Sequence, residues 1–431
     1  MKKYISLILF TLVVISLFAG CGSTSGSSTE ANETNSDGKV KISVAVFETD
    51  NYTADFWKHI FDSFEKDNPD ITIEKVLMTG DSRPQFLKTL MASGNFPDVN
   101  IDPVELSKID GIYAEVPTDL LSKFEDTAKV KSNGKNVLIP AYKAYRGQVY
   151  YNKKQFDDSG IKDVPKTWDE FLEDCEKLKA KGYVPLITGG SKDIWATGSC
   201  YWTGVANSEI EEAYPNFNSD VLSGKVKWNN PVVKDVLTRW QDLNKKGYFH
   251  KGSMSYGYTQ ASAEFIKGSA AMMFDGGWLA PSLDKANNND IGAFVMPAKT
   301  GVKSYCTMPQ YWAVSNTSKH KDAAFKFCEY VLGGNKEIYK YYLQADGTFP
   351  VTKDTVTYDL GPLQTKYMDN YKGYKEVPEI TKVVGDNSLP TGWEDFQLKS
   401  LQKIFVGADI SQELDSWDAE QVRLQQASKQ N

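Results

Sequence analysis

The sequence predicts an α/β fold built on parallel strands, and three observations predict it. Strand-like and helix-period segments alternate from Val40 to Ile101 in the order β-α-β-α-β, which calls for crossover helices over a parallel sheet. A helix with its own start and stop signals lies between Thr167 and Gly182. The later half again alternates helix and strand patterns, at 232–246, 260–267 and 269–275. With 431 residues the chain exceeds one ordinary core, so two domains, or three, are expected.

The elements follow in order. "VKISVAVF" (Val40 to Phe47) reads as the first strand. A helix starts near Thr53, with Phe56, Ile60 and Phe64 spaced by four. "ITIEKVLM" (Ile71 to Met78) is the next strand, a second helix covers about Ser82 to Ser93, and "GNFPDVNI" turns into a third strand. Thr167 and Glu170 write a capping box, and Trp168, Phe171, Leu172, Cys175 and Leu178 form one apolar face, so Trp168 is expected in a core. In open α/β sheets ligands gather at the carboxyl ends of strands. That directs attention to Glu48–Tyr52 after the first strand and Asp102 after the third.

Ahead of the body, Lys2 and Lys3 precede an apolar run to Ala19, the pattern of a secretory leader over residues 1–20. Residues 21–39 follow with almost no apolar side chain and read as a flexible tether, with a reach of roughly 20–25 Å. The formal net charge is −7 and no dense Lys/Arg run occurs, which argues against nucleic acid as a partner. An acidic body does not adhere to an anionic bilayer by charge. Cys175, Cys200, Cys306 and Cys328 form no CxxC, and His59, His250 and His320 are scattered, so neither a metal site nor a cofactor is expected. Cys175 and Cys328 read as core hydrophobes, while pairing of Cys200 with Cys306 stays open.

"YYNKKQFDDSGIKDVPKTWDEF" resembles the signature of the family-1 extracellular solute-binding proteins, the carbohydrate-binding components of ABC importers and relatives of the maltose-binding proteins. "GNFPDVNID", "FIKGSAAMMFDGGW" and "KDAAFKFCEYVL" match the same family in the right order, and "LFAGC" resembles its lipobox, with Phe18 where leucine is usual. The resemblance covers the whole mature body. It implies a periplasmic-binding-protein fold of the class II type, two α/β lobes joined by a multi-crossing hinge. One lobe would hold 40–145 and 300–350, the other 146–297 and 351–431. Proline and glycine signals in "IPAYKAYRG", "MPAKTG" and "GTFPVTK" support breaks at those crossings. It also implies a monomeric receptor that delivers a mono- or oligosaccharide to a membrane permease, held at the outer face of a membrane only by lipid on Cys21, as on a Gram-positive surface.

A sugar presents C–H faces that stack on aromatic rings and hydroxyls that need fixed polar partners. Trp278, in "DGGW", matches a family position that commonly stacks on sugar; packing over the strand end is the competing role. Asp102 matches a hydroxyl-binding acid, with helix capping as its alternative. Tyr145 and Arg146 lie at the first crossing, where maltose-type relatives often use an acid, so a different sugar or pose is implied. Trp393 in "LPTGWEDFQ" matches a position where an aromatic projects into the cleft. Trp195, Gln310, Trp312, Tyr52 and Glu48 complete the set of ligand candidates, each with packing as its alternative. GxSxG, Walker, GxGxxG and HExxH motifs are absent, so no enzyme is expected, although paired carboxylates leave a secreted glycoside hydrolase as a formal alternative. A non-sugar solute, such as ferric ion held by Tyr150-Tyr151 or Tyr341-Tyr342, is the other alternative, weakened because neighbours on a strand face opposite ways.

Overall fold

A computed structural model of the protein describes residues 38–428, apart from 81, 191–192, 287–288, 300, 302–303 and 386. The leader, Cys21 and the tether up to residue 37 lie outside the described residues.

Local signals set the first elements. β1 (Val40–Val46) is followed by a helix over Ala54–Asp67, whose Thr53 side chain caps Phe56 N–H and whose Phe56, Trp57, Ile60, Phe61 and Phe64 are buried. β2 (Ile71–Leu77) and β3 (Val99–Ile101) flank β1 in parallel, with a helix over Arg83–Ala92 between them. Beyond these three strands the sheet is mixed. β4 (Ile139–Asn152), β5 (Leu186–Ile187), β6 (Met272–Gly276), β7 (Ile291–Val295) and β8 (Ser304–Val314) follow, and β9 (Lys375–Pro378) is added beside β8. The main order is β2-β1-β3-β8-β4-β6-β5.

The antiparallel pair β4 and β8 departs from the parallel expectation, and its geometry explains why. Ile139 to Arg146 run opposite Trp312 to Cys306. Ile139 to Ala144 and Tyr311 to Val314 belong to one apolar core, which spans 42–144 and 311–356. Further along β4, Tyr145 and Tyr150 enter a second core with Tyr367 and Tyr371, and Val149 enters a third with Trp202, Trp240, Trp393 and Trp417. Two paired strands thus carry the chain from one core region to the other. Where β4 changes partners it bulges between Arg146 and Gln148. Gly147 sits there at φ +83°, and a Cβ on it would lie 2.5 Å from the α-carbon of Gly204. Only glycine permits both that backbone and that approach.

The helix over Trp168–Ala180 carries the expected capping box, with Thr167 and Glu170 bonding each other's backbone, and Trp168 is buried. Cys175, Cys200, Cys306 and Cys328 are all buried free thiols.

Candidate functional site

The site grows from the turn that ends β6. Gly276 lies opposite Arg146 of β4. Tyr150 donates its hydroxyl to Gly276 O at 2.9 Å, and Gly277 N–H donates to Tyr145 O at 2.8 Å, so the turn is bound to the sheet from both sides. The Trp278 indole lies back over Gly276, where a Cβ would stand 2.1 Å from the ring. A glycine is therefore required by the position of the indole itself.

Polar and aromatic partners surround that indole. Its Nε1–H donates to Tyr258 Oη at 2.9 Å, and the Tyr258 hydroxyl donates to Asp275 Oδ2 at 2.9 Å. The Trp195 ring stands edge-on to Trp278 at 6.0 Å and tilts over Tyr258 at 4.7 Å. The Arg146 guanidinium lies 5.3 Å from the Trp278 ring centroid, within cation–π range. Trp195, Tyr258 and Trp278 are each half-buried as whole residues. Asp275 is fully buried, and burial pushes its carboxyl up to about 7 against the opposing effect of hydrogen bonds from Gly276 and Tyr258 and of nearby Arg146.

A charged network adjoins these rings. Arg146 pairs with Glu379 at 2.6 Å, both side chains nearly inaccessible. Burial would lower the guanidinium's basicity, but Glu379 outweighs it and holds the cation firmly charged. Asp102 pairs with Arg83 at 3.1 Å, and Arg83 in turn lies over the Phe47 ring at 3.6 Å. Asp102 adopts a left-handed φ of 60°, which a short polar side chain tolerates. Burial raises its carboxyl, yet Lys382, Arg83 and Arg146 together bring it below the ordinary carboxylate value. Lys382 pairs with Glu394 at 2.8 Å. The carboxylate of Asp102 serves these cations and caps no following helix.

Contacts between the first core region and the other two close over this cluster. Asn51 Nδ2 donates to Trp278 O at 2.9 Å and to Asp346 Oδ1 at 2.7 Å, while Ser282 donates to Asn51 Oδ1 at 2.9 Å. On the other flank Glu105 accepts from Gly392 N–H at 2.7 Å and from Thr391 through its carbonyl at 3.1 Å. Lys108 donates to Leu389 O beside them.

The remaining sequence candidates are placed differently. Trp393 is 1% exposed, stacked on Trp228 at 4.7 Å and set edge-on to Trp417, inside a core rather than projecting into a cleft. Trp312 is equally buried, beside Phe327 and Tyr342. Tyr52 is fully buried among Phe56, Trp57 and Tyr342. Tyr145 packs against Tyr305, Phe349 and Tyr371, and reaches the site only through its carbonyl. Gln310 is buried on β8 opposite Tyr142, and Glu48 is an exposed partner of Lys75. The tyrosine pairs diverge: Tyr150 is bound to Gly276, and Tyr341 lies against Phe56 on the surface while Tyr342 is buried.

Sequence reading missed Asn51, Arg83, Tyr258, Asp275, Glu379 and Lys382. Asn51 stood inside the segment flagged after the first strand, and Asp275 inside "DGGW". Arg83 and Lys382 are ordinary surface letters with no local signal. A cavity of about 200 Å³ between Asn207, Phe217, Val377 and Ile380 lies apart, and none of the sequence candidates lines it. Asn207 and Asn218 each spend an amide N–H on a backbone carbonyl there, Pro378 O and Ile380 O, and no tryptophan lines it, whereas two half-buried indoles meet at the cluster beside Arg146.

Residues 49–333 match the family model described as bacterial extracellular solute-binding protein. A multiple sugar-binding protein of Streptococcus mutans is 29% identical over 330 residues, 71% of this chain and 74% of its own. Among solved structures, a chitin oligosaccharide binding protein superposes with a TM-score of 0.73 at 22% identity, over 90% of this chain and 99% of its own. A sugar transporter of Bacillus licheniformis in complex with stachyose gives 0.71 at 20% identity, over 89% and 100%. The structural likenesses establish the two-lobed fold, and the match over residues 49–333 places this chain in the family of bacterial extracellular solute-binding proteins.

Proposed function

We propose that the protein captures a mono- or oligosaccharide between its two lobes and hands it to the membrane permease of an ABC importer. The observation that carries this reading is the pair of half-buried indoles, Trp278 and Trp195, beside the ion-paired Arg146, Arg83 and Asp102. Aromatic faces suit sugar C–H surfaces, and charged groups held in fixed pairs offer oriented donors and acceptors to hydroxyls. The sugar-binding names of the relatives agree with it. The lobes are taken as 40–145 with 300–350, and 146–297 with 351–431, with hinge crossings near Arg146 within β4, near Ala298 ahead of β8, and near Val351. A ligand touching both lobes favours the closed state because only that state makes both sets of contacts. In this reading the protein is a monomer that catalyses nothing, anchored by lipid on Cys21 to the outer face of the membrane.

A thermal-shift panel of raffinose, stachyose, maltose and chitin oligosaccharides tests it. A bound sugar at 100 times Kd adds about 2.7 kcal/mol of stability. Trp278→Ala should weaken that sugar at least tenfold, about 1.4 kcal/mol, and leave the ligand-free protein folded. A flat response to every saccharide, or unchanged affinity in Trp278→Ala, would refute the assignment.

A further inference from the structure

We infer that Tyr258 is a positioning residue for the proposed saccharide site: its hydroxyl, bonded to Trp278 on one side and Asp275 on the other, fixes the tilt of the indole that receives the sugar. This rests on the reading of Trp278 as the stacking platform.

An indole has one donor, its Nε1–H, and the torsion that swings the ring plane is broad. The bond to Tyr258 at 2.9 Å removes that freedom. The Tyr258 oxygen can accept from the indole while its own hydrogen goes to Asp275 Oδ2 at 2.9 Å. Asp275 cannot swing, because Oδ1 accepts from Gly276 N–H at 2.8 Å and the residue is fully buried on β6, opposite Gln148 of β4. The tyrosine is also held at its backbone, where N–H donates to Asp193 Oδ2 at 2.7 Å. Trp195 tilts over the same phenol ring at 4.7 Å. The hydroxyl therefore references the Trp278 indole to the sheet, while the phenol ring keeps Trp195 beside it. A platform already set at its binding angle loses less freedom when ligand arrives, and affinity rises accordingly.

The alternative is that Tyr258 is only packing, as its ring joins the core with Ala261, Phe265 and Leu279. Tyr258→Phe separates the two, since it keeps the ring and removes the hydroxyl. The probe is whichever of raffinose, stachyose, maltose or chitin oligosaccharide gives the largest thermal shift with the wild-type protein. The expected result is about tenfold weaker binding, an altered near-ultraviolet dichroism of the ligand-free protein, and less than a twofold further loss when the substitution is added to Trp278→Ala. Unchanged affinity in Tyr258→Phe, with Trp278→Ala impaired, overturns the positioning role alone. An equal loss in the Trp278→Ala background also overturns it, because the hydroxyl would then touch sugar independently. Wild-type affinity in Trp278→Ala overturns this inference and the platform reading together. Should Tyr258→Phe fail to fold, the indole N–H resonance of Trp278 in the wild-type protein decides: slow exchange with solvent supports the bond, and fast exchange overturns it.

Discussion

Trp393 and Trp278 each follow a glycine, and their fates are opposite. Trp393 is enclosed by Trp228 and Trp417, while Trp278 keeps surface and leans on Gly276. Truncating a buried tryptophan removes its transfer free energy and leaves a cavity. Trp393→Ala should therefore lower stability by about 3–5 kcal/mol in urea unfolding, with sugar affinity unchanged in the folded fraction. Weakened binding at undiminished stability would return Trp393 to the cleft. The contrast marks what the letters carry. Two glycines after a short apolar strand announced a turn that aims a side chain. The partners that decide whether an indole is aimed or enclosed come from distant segments: Tyr258 for one, Trp228 and Trp417 for the other. Burial is fixed by those tertiary neighbours, so single-sequence reading could name Trp278, Arg146 and Trp195 only as separate candidates, which the structure brings together, and it set Trp393 in the cleft where the structure encloses it.

At the scale of elements, the loop after β1 shows how far a topological rule reaches. The rule that ligands gather at strand carboxyl ends selected Glu48–Tyr52. It chose the segment but not the side chains, since a loop has no period to tell which residue faces where. Glu48 turns to Lys75, Tyr52 packs inward, and Asn51 between them binds Trp278 O, Asp346 and Ser282. The first strands and helices were legible within a residue or two because capping and periodicity are local. The antiparallel pairing of β4 with β8 was not, because it joins segments some 165 residues apart. Asn51 bridges the core regions through the bonds to Trp278 and Ser282, each worth about 0.5–1.5 kcal/mol net. Asn51→Ala should thus weaken sugar binding about five- to 150-fold, about 1–3 kcal/mol for the two bonds together, mainly through faster dissociation, by favouring the open state. Stopped-flow fluorescence measures this; an unchanged dissociation rate would show that the loop plays no part in closure.

For the molecule as a whole, charge is arranged so that pH acts on the site in two separate windows. Asp275 and Asp346 are both raised, first by burial, to about 7 and about 6. In the unfolded chain each has the ordinary aspartate value near 4. Between about pH 4 and these folded values the native state keeps protons that the unfolded state has released, so stability falls as pH rises. Each fully retained proton contributes a slope of about 1.4 kcal/mol per pH unit, and the slope vanishes above the folded value. Asp102 has the opposite sign: its carboxyl is lowered by Lys382, Arg83 and Arg146 despite burial. Its contribution is complete above about pH 4 and is lost only on further acidification. The windows do not overlap, so one substitution isolates the upper one. Asp275→Asn removes a titrating group, and between pH 5 and 7 the wild-type protein should lose stability more steeply than this variant. The difference should close above about pH 7. Urea unfolding of the ligand-free proteins at half-unit intervals provides the curves. Parallel curves from pH 5 to 8 would mean that Asp275 is ionised throughout, and that the carboxylate beneath Tyr258 and Trp278 carries its charge at no cost to the fold.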